Sequence, residues 1–392
     1  MSSIYLDWAA TAPPDPEIQT QVQRIARELY ANPSALHSLG REAEKALSDC
    51  RHRMADLLGC QPGELLFTSG ATEANNMVLF SLLHKKQDRR ILIGGVEHAS
   101  IYEPSQTLKR MGFDVVPVAA DNTGMIDPER IRGALDERTA AVAVMLVNNE
   151  TGRIQPIREI AGILREYRER SGKKILLHTD AVQALGKIPF NPRQLDIDSA
   201  ALSAHKIGGP RGAGALYVRQ GRIQQFLFSG GGQEYGHRPG TENLPGIYGF
   251  VLAAEKALGA IEENHRQASA AMETLLGELE DMHDASVIPT GRPTGEAGEY
   301  SPYILNLSIP PLPGEVLVRV LEEEGFIVST GSACSSKKKD RFRVLENMGV
   351  SRRSAFSAIR VSTGPGIGPA QLSALAAAIR RRVPELLKAT PG

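Results

Sequence analysis

The chain has 392 residues, 42% of them hydrophobic and 23% charged, so it is long and apolar enough to bury more than one core. The chain has 45 Lys and Arg residues and 45 Asp and Glu residues, so its formal net charge is zero. This balance excludes a strongly positive protein that would attract nucleic acid or an anionic membrane through its overall charge. No apolar stretch approaches the ~18 residues of a membrane span, and no secretory signal opens the chain. These properties predict a cytoplasmic, enzyme-sized protein.

The first predicted helix covers "REAEKALSDCRHRMADLL", where apolar residues recur at helical spacing until Gly59. Cys50 therefore faces the core in this prediction. The other cysteines are Cys60 and Cys334, and the spacing of the three suggests neither a zinc site nor a disulfide framework. Their odd number fits a reducing compartment, and no metal site is predicted.

Short apolar runs then recur along the chain, with helical segments between several of them. The runs are ELLFTSG, RRILIGG, DVVPVA, AAVAVMLVNNE, KKILLHTDA, IDSAALSAHK and GALYV. Strands that alternate with helices are typical of a mostly parallel sheet covered on both faces. A long helical stretch near 251–282, the strand-like ILNLSI and FIVST with the helix-like GEVLVRVLEEEG between them, and a terminal helix near 369–387 predict a smaller α+β domain.

This change in pattern divides the chain into two predicted domains. The large domain spans 14–258, and the small domain combines 1–13 with 259–392 and includes a loop at about 329–345. Ligands of open α/β sheets bind beyond the carboxyl ends of the strands. Several predicted strands end in polar groups there: Thr68 and Ser69, Glu97 and His98, Asn148 and Asn149, Asp180 and Gln183, and Ser203 to Lys206.

Lys206 ends an apolar run and precedes two glycines and a proline in "SAALSAHKIGGPRG". A surface lysine at the start of a loop fits this pattern, and so does a buried amine suited to Schiff-base chemistry. Thr72 fits either a plain first helical turn or a phosphate seat made of free N–H groups. Asp180 fits either a helix cap or the partner of a pyridinium nitrogen, and His98 either a structural residue or one that stacks on a ring.

Nine ordered motifs between about Tyr5 and Gly364 resemble those of the cysteine desulfurases, pyridoxal-phosphate enzymes with the class V aminotransferase fold. The motifs are YLDWAATAP, NPSALHSLG, FTSGATEANN, EHASI, VNNETG, HTDAVQALGKI, SAHKIGGPRG, RPGTEN and STGSACSS. The resemblance implies an α/β fold (fold type I) with a large, mostly parallel, seven-stranded sheet domain and a smaller α+β domain. It also implies a homodimer that binds pyridoxal 5'-phosphate.

The resemblance further implies roles for the residues that match family motifs. Lys206 resembles the lysine that forms the Schiff base, Asp180 the partner of the pyridine nitrogen, and His98 the histidine stacked on the ring. Gln183 matches the residue that bonds the phenolic oxygen of the ring, and Asn149 lies near that oxygen and the substrate. The implied phosphate seat consists of Ala71, Thr72, Ser203 and His205, with Thr241 reaching the site of the neighbouring subunit.

The same resemblance implies the reaction. Cys334 in "GSACSS" matches the cysteine whose thiolate attacks the sulfur of L-cysteine, giving L-alanine and an enzyme persulfide. Arg360 matches the arginine that grips the substrate carboxylate, a task that suits its bidentate fork, and Asn32 lies near the same group. The persulfide then passes to an acceptor protein, in iron–sulfur cluster assembly or in thiolation of tRNA or a cofactor.

The segment after Cys334 resembles group I of the family, whose catalytic loop moves between the active site and the sulfur acceptor. Its basic run is expected to favour the thiolate and to form a docking patch for an acidic acceptor: Lys337, Lys338, Lys339, Arg341 and Arg343. The C-terminal tail that some members use to contact a scaffold is expected to be short or absent. A selenocysteine lyase, another class V enzyme and a non-catalytic binding protein are the alternatives, and dependence on Cys334 separates the lyase from the desulfurase.

Overall fold

Seven strands form the main sheet of the computed structural model, in the order β2-β8-β7-β6-β5-β3-β4. They are β2 (Leu65–Thr68), β3 (Arg90–Gly94), β4 (Asp114–Val118), β5 (Thr139–Ala143), β6 (Leu176–Asp180), β7 (Ser199–Ser203) and β8 (Gly214–Val218). Each of the seven apolar runs supplies one of them. Only β8 runs antiparallel to its neighbours, so the prediction of a mostly parallel sheet is confirmed.

The structure describes the chain except for residues 1–2, 85–88, 224, 290–291, 293–297, 332–340 and 390–392. The expectations for Cys334 and for Lys337 to Lys339 therefore lie outside the described residues. The smaller sheets consist of β1 (Ile4–Tyr5) beside β11 (Phe326–Ile327), and of β9 (Ser286–Ile288), β10 (Ile304–Ser308) and β12 (Ala358–Ser362).

Helices connect and cover these sheets. In chain order they are α1 (Pro16–Glu28), α2 (Ser38–Leu58), α3 (Ala71–Ser81), α4 (Ala99–Arg110), α5 (Pro128–Ala134), α6 (Ile157–Ser171), α7 (Leu244–Gly259), α8 (Ile261–Leu279), α9 (Gly314–Glu323), α10 (Arg343–Asn347), α11 (Arg352–Phe356) and α12 (Pro369–Ala389). Cys50 is fully buried on α2, in the hydrophobic cluster that also contains Leu47 and Met54. Its predicted position is confirmed.

The long helical stretch predicted near 251–282 is helical but divided, because the chain breaks at Ala260 into α7 and α8, which meet at a bend of 67°. The break marks a change of packing partner. Apolar residues of α7, such as Phe250 and Val251, belong to the cluster against the main sheet. Those of α8, such as Met272 and Leu275, belong to a second cluster with β10, β12 and α12. A straight helix could not bury both faces in these two cores.

Among the described residues, no single helix is long and apolar enough to cross a membrane. Taken together, α7 and α8 reach the required length and composition, but only as a bent pair.

Candidate active site

A cavity of about 590 Å³ opens at the carboxyl edge of the main sheet. Residues that follow β2, β3, β6 and β7 line it, together with residues 9–11 of the N-terminal segment and Arg360 on β12. The cavity is of the size that holds a small cofactor with a small substrate. The expected convergence of polar strand ends at this edge is therefore observed.

Most of the site residues named from the sequence line this cavity. They are Ala71, Thr72, His98, Asn149, Asp180, Gln183, Ser203, His205, Lys206 and Arg360. Asn32 and Thr241 do not line it: both are exposed, and Asn32 accepts the N–H of Ser34 at 2.9 Å instead. The predicted proximity of Asn32 to the substrate therefore stays a prediction.

Lys206 lies in a single helical turn directly after β7. Its Nζ donates hydrogen bonds to the carbonyls of Ala9 and Ala10, at 2.5 and 2.7 Å. The neighbouring His205 bonds Thr11 at 3.2 Å, and burial together with the Lys206 charge lowers its pKa to about 4. The N-terminal segment therefore holds the amine at the cavity wall.

Asp180 ends β6 with a carboxylate that is 5% exposed. Asn75 on α3 donates to Oδ2 at 2.8 Å, and the backbone N–H of Val182 donates to Oδ1 at 3.0 Å. Asn75 is itself fixed, since its Oδ1 bonds the buried ring of His178 at 2.8 Å. Burial lowers the pKa of His178 to about 3, so this ring stays neutral. The carboxylate is thus held in one orientation.

The N-terminus of α3 opens into the cavity at Ala71 and Thr72. Gly70 precedes it with φ of +152°, a conformation that favours glycine, and no described side chain caps the helix. Gly214 of β8 lies so close that a Cβ there would come within 2.5 Å of the Cα of Gly70. The free N–H groups of the first turn form a seat for an anion such as phosphate.

His98 caps α4 and lies beside the buried Glu97. Its Nδ1 accepts the backbone N–H of Ser100 at 3.1 Å, so a neutral ring carries its proton on Nε2. Burial lowers the pKa of His98, which favours that neutral ring. Burial also raises the pKa of Glu97 well above its ordinary value, which favours the protonated carboxyl beside it.

Arg360 projects into the cavity from β12 and is 2% exposed. Its guanidinium donates to the carbonyls of Asn149 and Gly331, at 2.8 and 3.1 Å, and to Asp7 at 2.7 Å. Nε and the nearby Asn149 Oδ1 have no partner among the described residues. The site thus offers a fixed fork suited to a carboxylate, with polar atoms still free to bond a ligand.

The sequence profile of the family described as Aminotransferase class-V matches residues 4–367. The chain belongs to this family. A cysteine desulfurase IscS from Dictyoglomus turgidum is 36% identical over 365 residues, which cover 92% of this chain and 89% of that protein. The resemblance and the fold expected from the motifs are therefore confirmed.

Two solved structures extend this similarity to three dimensions. A NifS-like protein superposes with a TM-score of 0.88 at 33% identity, covering 99% of this chain and all of that one. SspA in complex with cysteine superposes with a TM-score of 0.77 at 29% identity, covering 92% of this chain and 99% of that one. Members of this family depend on pyridoxal phosphate, and so does this chain.

The residues present fit that cofactor. The uncapped start of α3 with Gly70, the fixed carboxylate of Asp180 and the amine of Lys206 all line one cavity, and Gly214 packs closely against Gly70. Pyridoxal phosphate needs an anion seat, an acid for its ring nitrogen and a lysine. The unpartnered Asn149 Oδ1 leaves one further polar atom for the bound group.

Three buried groups near these residues have no role in the prediction from the sequence. Glu97 and Glu150 line the cavity, and Lys187 lies behind Gln183. Burial raises the pKa of Glu150 to about 7 and lowers that of Lys187 to about 7. The sequence shows these charged residues inside the motifs, but the burial of their side chains follows only from the fold.

Two residues of the predicted basic run also line the cavity. Arg341 pairs with Glu315 at 2.7 Å. Arg343 bonds the carbonyls of Gly95 and Glu97, and its guanidinium lies 4.2 Å from the ring centroid of Tyr102. Both arginines are therefore engaged in contacts within the protein and do not form a freely solvated surface.

Proposed function

We propose that this chain is a pyridoxal-phosphate-dependent cysteine desulfurase that uses Cys334 as its nucleophile. L-Cysteine and the Cys334 thiol give L-alanine and a persulfide on Cys334, so the sulfur atom moves and no external oxidant or reductant is consumed. The observation that carries this proposal is the convergence of Lys206, Asp180 and the α3 N-terminus with Arg360 in one cavity.

When bound, pyridoxal phosphate supplies an electron sink that makes the Cα–H of a joined amino acid acidic. Lys206, Asp180 and Gln183 would hold it, with its phosphate on Ala71, Thr72, Ser203 and His205. The side chains of the cavity divide the remaining work. Arg360 binds and orients the substrate carboxylate, and the neutral His98 holds a proton at Nε2.

The other two cysteines support the assignment of the nucleophile to Cys334. Cys50 and Cys60 are buried free thiols, and burial raises the pKa of each to about 12. A thiolate is the reactive form, so neither is suited to attack sulfur at neutral pH. Free thiols are also what we expect of a cytoplasmic protein, which is the location we propose.

The test is alanine formation from L-cysteine with a thiol reductant present, for wild type beside Cys334→Ser. We expect alanine from wild type alone, and a mass increase of one sulfur atom on the peptide that carries Cys334. Cys60→Ala is the matched control and should keep both signals. Equal alanine formation by wild type and Cys334→Ser contradicts the proposal and favours a lyase that needs no protein thiol.

A homodimer is the second part of the proposal. Large apolar side chains are exposed at Tyr30 (72%), Leu36 (91%) and Tyr235 (56%), which is typical of an interface. Arg238 pairs with Glu73 at 2.8 Å, so the segment that carries the exposed Thr241 is tied to the first turn of α3. This position supports a contact between Thr241 and the phosphate seat of a second subunit.

Subunit mixing tests this arrangement. Lys206→Ala and Thr241→Ala each damage a different half of the site, so co-expressed subunits should regain activity through the one intact site of the mixed dimer. No recovery, or a monomer by light scattering, contradicts the contribution of Thr241 across the interface.

We also propose that the domains divide at 258/259. The change of core between α7 and α8 supports this boundary.

The lysines of the basic run, Lys337 to Lys339, are proposed to dock an acidic acceptor protein, as in iron–sulfur cluster assembly or thiolation. Neutralising Lys337 to Lys339 should slow transfer of the persulfide more than formation of alanine. Equal effects on both steps contradict the docking role.

A further inference from the structure

Lys187 is a buried lysine directly behind the cavity, with 6% of its surface exposed. It lies in a short helical turn after β6, in which its N–H bonds the carbonyl of Ala184 at 3.0 Å. Its Nζ donates to Oε1 of Gln183 at 2.6 Å, and no carboxylate pairs with it in the described part of the chain. The amine therefore loses its hydration and gains a hydrogen bond to one amide oxygen in return.

This arrangement is costly. Burial, with the nearby charges of Lys206 and Arg360, lowers the pKa of Lys187 to about 7. A methionine would fill similar space without the loss of hydration. A lysine retained at this position therefore indicates a function. Its side-chain hydrogen bond within the described part of the chain, to Gln183, indicates that this function acts through Gln183.

The two partners of Gln183 fix which way its amide faces. Oε1 of the amide faces Lys187, whose amine has N–H groups to donate whether or not it is protonated. The carbonyl of Ala9 only accepts, and Nε2 donates to it at 2.9 Å. An amide nitrogen carries two N–H groups, so one remains for a ligand in the cavity that Gln183 lines.

We propose that Lys187 is a positioning residue that holds Gln183 as a hydrogen-bond donor to the bound cofactor. This inference rests on the proposed function, in which Gln183 bonds the phenolic oxygen of the ring. A donor aimed at that oxygen stabilises its negative charge and so favours the form that has lost a proton. Lys187 thereby lowers the pKa at which the bound cofactor changes its visible absorbance.

The experiment is a pH titration of that absorbance in the cofactor-loaded protein. Lys187→Met should raise the apparent pKa by on the order of one unit, the size expected for the loss of one hydrogen bond to a charged group. Lys174→Met is the matched control, because Lys174 is exposed just before β6, at the opposite edge of the sheet, and it should titrate like wild type. Lys187→Leu, which also lacks a hydrogen-bond donor, gives the same test if the methionine variant does not fold.

A double-mutant cycle with Gln183→Leu distinguishes positioning from a direct charge effect. If Lys187 acts through Gln183, the double variant should titrate like Gln183→Leu alone. Additive shifts, or an unchanged pKa in Lys187→Met, overturn the inference while wild type still binds the cofactor and forms alanine. A wild-type chain that takes up no cofactor overturns the proposed function, and this inference with it.

Discussion

Arg51 and Arg360 are both buried guanidinium groups, but their surroundings differ. Arg51 makes two bonds to Glu234, at 2.8 and 2.6 Å, and one to the carbonyl of Leu65 at 2.7 Å. The backbone N–H of Phe67 donates a further hydrogen bond to the Glu234 carboxylate at 2.8 Å. This buried ion pair is closed, and it joins α2 to the segment after β8.

Arg360 faces an open cavity and is bonded mainly to backbone carbonyls. Its Nε, Oδ1 of Asn149 and Oε2 of Glu97 all lack partners among the described residues. Buried polar atoms without partners cost stability, and they are tolerated where a ligand will bond them. The comparison separates a region that stabilises the fold from one that keeps bonding capacity for chemistry. Substitutions in the two regions should therefore have different signatures.

The largest effect is expected in the cavity, for Lys206→Ala. Loss of the amine should reduce alanine formation by ~10³-fold or more, because the group that would hold the cofactor and move a proton is gone. The melting temperature of the cofactor-free protein should change by less than about 2 °C, because the Lys206 side chain is only half-buried and its amine bonds backbone carbonyls that stay close to solvent in the open cavity. Activity assays check the expected loss of alanine formation, and thermal unfolding checks the expected melting temperature. A large drop in melting temperature would show that Lys206, like Arg51, mainly stabilises the fold.

Arg51→Met should show the reverse pattern. Glu234 would be left buried and unpaired, which costs about 3–5 kcal/mol of the free energy of unfolding. Urea unfolding measures the loss. Arg24→Met is the control, because Arg24 pairs with Glu28 at 3.9 Å with both side chains more than half exposed, and such a pair contributes about 1 kcal/mol or less. Equal losses in the two variants would show that burial of the Arg51 pair adds nothing.

Much of this architecture could be predicted from local pattern. Each apolar run became a strand, and Asp180 and Lys206 occupy the strand ends at which their chemistry was expected. These features depend on residues close together in the chain, so periodicity and turn signals suffice to find them.

Other features depend on contacts that no local pattern encodes. Asp7 and Arg360 are 353 residues apart and meet only when the N-terminal segment crosses the cavity. The break at Ala260 reflects two cores that compete for one helical stretch. Thr241 is exposed in the single chain, and the second subunit that we propose for it leaves no local pattern in the sequence. Motif resemblance could indicate such residues, but physical reasoning from the sequence could not.

Glu150→Gln sharpens the comparison through pH. Burial raises the pKa of Glu150 from 4.5 to about 7, so between these values the folded state binds more protons than the unfolded state. Stability from this group is therefore complete below pH 4.5 and is lost as pH rises through 7, by about 3 kcal/mol.

The cofactor-free glutamine variant should lose less of its free energy of unfolding than wild type between pH 4.5 and 8. Urea unfolding at several pH values measures the difference. Glu273→Gln, at an exposed position on α8, should follow the wild-type curve. If the free energy of unfolding changes with pH in the same way for wild type and Glu150→Gln, Glu150 stays ionised in the folded protein. Its charge would then be as well compensated as that of the Arg51–Glu234 ion pair.

Arg360→Lys should have the smallest effect, and one that falls mainly on substrate binding. Lysine keeps the charge but not the planar fork, so one charged hydrogen bond of about 1.5–3 kcal/mol is lost. The KM for L-cysteine should rise about 10- to 100-fold with a smaller change in kcat. Arg130→Lys, an exposed arginine that also bonds backbone carbonyls, is the control and should leave both constants unchanged. A fall in kcat at constant KM would show that Arg360 acts after binding, and its free Nε would then be a group held for the reacting state rather than for the substrate carboxylate.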